Sequence, residues 1–165
     1  MRVLSIVQRK FRLLGLLLVV GGFAVVAGVP VMAAQSPFES LLGSWSGSGT
    51  YTLTDGKRIA VRCNGYYTGG GSALGLVVRC IGKDSKIEMR GKLSYASGKL
   101  KGSWEERTYN AVGQASGSAS PGRISLNISG VIDGHMSVSF SKNRQSVSIS
   151  VKGVALKSVN VNMSR

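Results

Sequence analysis

The amino-acid sequence predicts an all-β fold, a single antiparallel up-and-down β-barrel of about ten strands, with a β-sandwich as the alternative. From Ser44 onward, most segments alternate apolar and polar residues with a period of two, as strands with one buried face do. Turn sequences rich in glycine, serine, asparagine and aspartate interrupt this alternation about every 8–12 residues. No segment between these turns shows a helical period, so short strands joined by tight turns account for the pattern.

Residues 1–34 are predicted to be a secretory signal peptide. The segment begins with four basic and no acidic residues, continues with an apolar stretch from Leu13 to Val31, and ends in small residues. This order is that of a signal with cleavage after Ala33 or Ala34. The alternative is an uncleaved membrane anchor, because about 19 apolar residues can just span a bilayer. We therefore expect an exported bacterial protein, periplasmic or extracellular and able to associate with the cell envelope.

Residues 35–165 are predicted to form one domain with a strongly positive charge. Their number suits a single domain. The whole chain has a formal net charge of +14, and the predicted signal holds four of its cations and none of its acids, which leaves +10 for the domain. So large a charge concerns solubility and partners, and not the fold.

One short helical turn is predicted before the strands. Ser36 can cap this turn, Pro37 suits its first position, and Gly43 ends it. Within the strand region, the Gly/Ser-rich stretch 113–122 is either a sixth strand or a flexible loop. The predicted strands are 44–54, 57–66, 74–82, 86–95, 99–109, 113–119, 123–130, 135–141, 145–152 and 155–164.

Pairing across the first two predicted hairpins selects one apolar face. A turn centred near Asp55-Gly56 places Tyr51 opposite Val61, and the next hairpin places Cys63 opposite Cys80. Both registers turn the same set of apolar side chains inward. In an oxidising compartment, two directly opposed cysteines favour a Cys63–Cys80 disulfide over reactive thiols.

Four inward positions are candidate barrel-interior residues or ligand contacts: Trp45, Tyr51, Trp104 and Glu106. Glu106 shares the strand parity of Trp104, and buried carboxylates are usually paired or functional. Its place near a strand end is equally that of a group at a wet barrel mouth. Inward glycines in the first two strands indicate either barrel corners or room for a ligand beside the aromatic rings.

The outward face of predicted strands two to five carries an unusual density of cations, interrupted by Glu88 and Glu105. One interpretation is solvated charge that prevents aggregation through strand edges. The other is attraction to an anionic membrane or polysaccharide. Nucleic acid is disfavoured, because the chain is exported and no set of outward aromatic residues is available for stacking on bases. The candidate anion-binding patch consists of Arg58, Arg62, Arg79, Arg90, Lys92, Lys99 and Lys101.

No residue pattern predicts catalysis, a metal site or a cofactor. His135, the single histidine, is placed in the turn after Asp133-Gly134, where a solvent-facing role is expected. Glu105 and Glu106 are adjacent on a strand and point to opposite sides, so they cannot act as a carboxylate pair. The glycines at 69–71 lack the residues of a phosphate-binding loop and are placed at a flexible hairpin tip. A secreted hydrolase is therefore the weakest functional hypothesis.

Gly43-Ser44-Trp45, which follows the helical turn and opens the first strand, resembles the G-x-W start of the calycins, the lipocalin and fatty-acid-binding barrels. The resemblance implies a barrel with an apolar cavity, a tryptophan at its closed end, and a late arginine packed across that tryptophan, here Arg144 or Arg165. The family's T-D-Y signature has no match near strand seven. The overall pattern also resembles small exported bacterial envelope proteins.

Two functions follow from these features. The first is an exported, non-enzymatic envelope protein, expected to be a monomer, that binds an anionic or amphipathic partner through the basic outer sheet. Lipid, lipopolysaccharide and polysaccharide are the expected partners. The second is a calycin-type carrier that holds a small apolar ligand inside the barrel.

Overall fold

The computed structural model describes residues 36–165; the predicted signal peptide at 1–34 lies outside the described residues. A turn at residues 37–41 precedes ten strands, and no helix in this part of the chain is long and apolar enough to cross a membrane. The strands are β1 (Gly43–Leu53), β2 (Arg58–Gly70), β3 (Ala73–Gly82), β4 (Lys86–Ala96), β5 (Lys99–Glu106), β6 (Ala111–Ser120), β7 (Arg123–Gly130), β8 (Asp133–Phe140), β9 (Arg144–Lys152) and β10 (Leu156–Ser164).

The strands form one closed antiparallel barrel. Each strand pairs with the next along the chain, and β10 pairs with β1, so that no sheet edge remains open. This confirms the ten-strand up-and-down barrel and excludes the sandwich. The stretch 113–122 is largely strand, because β6 pairs with both β5 and β7.

The expected helical turn is a single hydrogen-bonded turn. The amide of Leu41 donates to the carbonyl oxygen of Phe38 at 2.8 Å, and the amide of Phe38 donates to the hydroxyl of Ser36 at 3.2 Å. Ser36 therefore caps the turn as predicted.

The predicted register of the first hairpin is wrong by two residues. Tyr51 pairs with Ile59 and not with Val61. The loop contains three residues, closed by a hydrogen bond of 2.9 Å from the amide of Leu53 to the carbonyl oxygen of Lys57. Gly56 adopts a φ of 88° in this loop, the conformation that a three-residue hairpin requires. A shift of two keeps the same side chains inward, and the predicted Cys63–Cys80 pairing is observed.

Asp133-Gly134 is not a turn. Both residues belong to β8, and the connection from β7 runs through Val131 and Ile132. Gly134 faces inward, where a Cβ would lie 2.4 Å from the carbonyl oxygen of Ser150. The glycine therefore permits close packing of two strands instead of a tight turn.

The two ends of the barrel differ in burial. The five loops that lead from an odd-numbered strand to the next even-numbered one (odd-to-even loops, from β1–β2 to β9–β10) lie at one end of the barrel, here called the open end. The other end, the closed end, is covered by the turn 37–41, whose Phe38 and Leu41 are fully buried. Inward side chains near the closed end are buried: Trp45, Tyr67, Leu74, Leu93, Leu100, Ile124, Phe140 and Met163. Most inward side chains near the open end are only half-buried: Tyr51, Ile59, Ile87, Met89, Ile128, Met136, Ile149 and Val159.

The disulfide is present, and it joins the centre of β2 to the C-terminal part of β3. Replacing Cys63 and Cys80 together with Ala is expected to lower the free energy of unfolding by about 3 kcal/mol, because the bridge restricts the unfolded chain across a loop of about 18 residues. Urea unfolding of the wild type and the double variant measures the difference. Thiol titration of the denatured wild type without reductant should find no thiol; two thiols per chain would contradict the bridge.

Candidate functional site

Trp45 and Arg165 seal the closed end. The indole nitrogen of Trp45 donates to the carbonyl oxygen of Leu41 at 2.7 Å, and the Arg165 guanidinium lies 4.5 Å from the centre of the Trp45 ring. The same guanidinium donates to the carbonyl oxygens of Ser40, Leu42 and Lys142. Arg165, and not Arg144, is therefore the late arginine that the calycin resemblance implied, and it ties the covering turn to the barrel.

A buried polar pair lies inside the barrel near the closed end. The hydroxyl of Tyr67 donates to Oε1 of Gln145 at 3.1 Å, and burial raises the pKa of Tyr67 to about 12. Nε2 of Gln145 is buried and has no hydrogen-bond partner within residues 36–165. This pair was not among the site residues predicted from the sequence, although Gln145 lies at an inward position of β9, whose other inward residues are apolar.

The open half of the interior is an apolar surface that solvent reaches. Tyr51 lies there, half-buried between Ile59 on β2 and Val159 on β10. Trp104 lies deeper, with its indole nitrogen 3.2 Å from the carbonyl oxygen of Gln114. Within the described strands every lysine and arginine is on the outer face or exposed, so the interior offers no cation to a ligand.

Glu106 is buried at the end of β5. Its carboxylate accepts hydrogen bonds from three backbone amides, those of Glu88 (3.0 Å), Thr108 (3.0 Å) and Tyr109 (2.7 Å). These bonds fold the β5–β6 loop back onto β4. The geometry therefore gives Glu106 a role in bracing this loop, and both of its oxygens are engaged before any ligand arrives.

The basic outer face contains the two acidic residues that interrupt it in the sequence. All seven predicted cations lie on outward positions of β2 to β5, but Glu88 sits among them. Arg79 lies 3.0 Å and Arg90 2.7 Å from its carboxylate, with Arg107 at 3.9 Å. Hydrogen bonds from Arg79 and then Arg90 hold the pKa of Glu88 below its usual value.

The centre of the predicted patch is therefore an ion-pair network. Arg90 also lies 3.9 Å from Glu105. The β3–β4 register places Arg79 directly opposite Glu88, so the acidic residues that interrupt the patch in the sequence lie beside its arginines. The members that form no ion pair within residues 36–165 are Arg58, Arg62, Lys92, Lys99 and Lys101.

His135 lies on β8 and not in a turn. Its ring nitrogens are 3.4 Å from the hydroxyl of Ser125 and 3.3 Å from Oδ1 of Asn127. These are cross-strand contacts on the exposed outer face. In the described part of the chain, no cluster of three or more His, Cys, Asp or Glu residues could hold a metal.

Solved structures share this barrel. The crystal structure of Rv2717c from M. tuberculosis is similar to 80% of this chain, with 14% identity and a TM-score of 0.59, and 99% of the Rv2717c chain is covered. The S-type phycobiliprotein lyase CPES from Guillardia theta matches 78% of the chain at 14% identity, with a TM-score of 0.58 and 89% of its own length covered. No protein-family model and no curated protein matches the sequence. At this identity the similarity shows the fold alone, a closed antiparallel β-barrel.

Proposed function

We propose that this protein is an exported carrier that binds a small, uncharged apolar molecule through the open end of its barrel. The observation that carries the proposal is the difference in burial between the two ends. Phe38, Leu41 and Trp45 cover the closed end and are buried, whereas most inward apolar side chains near the open end are only half-buried. An accessible concave apolar surface is the usual setting for small-molecule binding.

The side chains inside the barrel favour an uncharged ligand. A carboxylate or phosphate buried there would find no lysine or arginine to neutralise it, and burying an unpaired charge is costly. The polar groups that face inward deep in the barrel are the hydroxyl of Tyr67 and the amide of Gln145. Both are neutral at physiological pH, and the free Nε2 donor of Gln145 suits a ligand with a carbonyl or ether oxygen.

Export is supported by the disulfide, because such bonds persist in oxidising compartments and are rare in the cytoplasm. The role is proposed to be non-enzymatic. The fold alone does not exclude catalysis, since one protein of similar structure is a phycobiliprotein lyase. The non-enzymatic role rests on the apolar lining of the open half and on the exposed position of the contact between Ser125 and His135.

Binding of an anionic partner, such as lipopolysaccharide or polysaccharide, to the basic outer face is the second candidate function. The cations outside the ion-pair network support it. It ranks second because Glu88 and Glu105 neutralise the centre of that face, and exposed single cations contribute little to affinity at physiological salt.

The carrier proposal is tested by extracting the purified protein with organic solvent, identifying released molecules by mass spectrometry, and titrating the emptied protein with Nile red, a neutral apolar probe. Ile149→Trp places a bulky side chain inward at the open end and is expected to weaken Nile red binding at least about tenfold, whereas Ser150→Trp, its outward neighbour, is expected to leave binding unchanged. An absence of probe binding, or equal effects of the two variants, would contradict an interior site.

A further inference from the structure

Large exposed apolar side chains are concentrated at the open end of the barrel. Five of the six in the described chain lie in or beside its loops; the sixth, Tyr66, is on the side of the barrel. Ordinary surfaces scatter such residues singly. Those at the open end are Ile81 (60% exposed), Tyr109 (71%), Val112 (56%), Val131 (64%) and Val154 (38%).

These side chains are spread around the rim. Ile81 adjoins the β3–β4 loop. Tyr109 lies in the β5–β6 loop, and Val112 lies just after it. Val131 and Val154 lie in the β7–β8 and β9–β10 loops. The amide of Val131 donates to the carbonyl oxygen of Val112 at 3.3 Å, so these two loops are in contact. An exposed apolar side chain therefore lies in or beside four of the five loops of the open end.

Cations alternate with the apolar residues along the same rim. Acidic residues in the open-end loops and their flanks are fewer: Asp55, Asp84, Glu105, Asp133 and the engaged Glu106. The exposed basic residues of the open-end loops and their flanks are Lys57, Arg58, Lys83, Lys86, Arg107, Lys152 and Lys157. Small apolar tips surrounded by lysine and arginine match the headgroup region of an anionic bilayer, where the tips are withdrawn from water and the cations meet lipid phosphate.

We propose that the open end docks on the surface of an anionic phospholipid bilayer, with the barrel axis steep to the membrane and the mouth against the lipid. The inference rests in part on the proposed function. A neutral apolar ligand partitions into lipid, and a mouth held at the interface receives it without passage through water. Docking by the basic outer face would instead lay the barrel on its side, so the two surfaces predict different orientations.

The surfaces are separated by vesicle sedimentation with protein purified from cells that express the whole chain, using phosphatidylcholine vesicles with and without phosphatidylglycerol. Changing Lys83, Lys152 and Lys157 to Gln is expected to lower the partition coefficient about 100-fold at low salt, since each cation near an anionic surface contributes roughly a fivefold factor. The matched triple variant of the outer face, Lys92, Lys99 and Lys101 to Gln, removes the same charge and should have a much smaller effect. Equal losses, a larger loss in the outer-face variant, or no binding to anionic vesicles would overturn the proposal.

Orientation is tested with two exposed tyrosines. In Tyr109→Trp the new indole is expected to shift its emission to the blue when anionic vesicles are added, whereas in Tyr66→Trp it should not, because Tyr66 faces away from the rim. Trp45 and Trp104 are buried and contribute a constant background. A shift confined to Tyr66→Trp, or none in either variant, contradicts end-on docking. If end-on docking is contradicted but Nile red still binds, the carrier function is unaffected. If the protein docks on vesicles but does not bind Nile red, only the carrier function is contradicted.

Discussion

Trp45→Ala is expected to lower the free energy of unfolding by about 3–5 kcal/mol, the range for a buried aromatic residue truncated to Ala. The indole is 2% exposed, donates to the Leu41 carbonyl and supports the Arg165 guanidinium. Its removal leaves a cavity at the closed end and releases the covering turn from the barrel. Urea unfolding followed by far-ultraviolet circular dichroism measures the loss.

Two further variants make the Trp45 prediction specific. Trp45→Phe keeps an aromatic ring under Arg165 and removes the hydrogen bond to Leu41, so a smaller loss is expected. Tyr66→Ala removes an exposed aromatic side chain and should change stability by less than about 0.5 kcal/mol. A loss below about 1 kcal/mol in Trp45→Ala would mean that this residue does not hold the closed end together.

Glu106→Ala is expected to lower the free energy of unfolding by about 3–4 kcal/mol. Hydrogen bonds to a charged acceptor contribute about 1.5–3 kcal/mol each, and three backbone amides lose their acceptor while regaining part of that energy from water. The loop at 107–110 should open first, which hydrogen exchange at Thr108 and Tyr109 would detect as faster exchange of both amides.

The conservative variant and the neighbouring glutamate supply the controls. Glu106→Gln retains one acceptor oxygen but turns the other position into a donor that faces an amide, so an intermediate loss is expected. Glu105→Gln alters an exposed side chain of the adjacent residue and should be nearly neutral. If Glu106→Ala resembled Glu105→Gln, the carboxylate would not brace the loop.

The inward or outward direction of each strand residue was the part of the fold that could be predicted. Residues two apart face the same side, so an error of two residues in the register leaves the direction unchanged. The shift at the first hairpin moved Tyr51 from Val61 to Ile59 without turning it outward. Gly134 misled for a physical reason: a glycine after an aspartate suits a tight turn, but the same absence of a side chain also permits the close approach to Ser150. Local sequence does not distinguish these two uses.

The candidate site was predicted less completely than the fold. Glu106 was placed inward, but its partners are backbone amides, which no residue type reveals. The neutralisation of the basic face could have been found, since the pairing of Arg79 with Glu88 follows once the β3–β4 hairpin is put in register. The contrast between the closed and the open end depends on how the turn 37–41 packs against the barrel. The sequence around this turn gives little sign of that packing beyond Trp45, which follows it.

Pairing of β1 with β10 has a consequence for the order of folding. Ser46 meets Ser164 across almost the whole domain, so the ring can close only when β10 is available, and until then β1 and β9 are unprotected edges. Contacts between residues so far apart are formed late and slowly, because the entropy of a long loop is lost before they form. A chain shortened by its last strand should therefore aggregate through these edges, and rapid refolding of the intact protein is not expected. Under the proposed export, such late closure would keep the barrel open until its final strand has crossed the membrane.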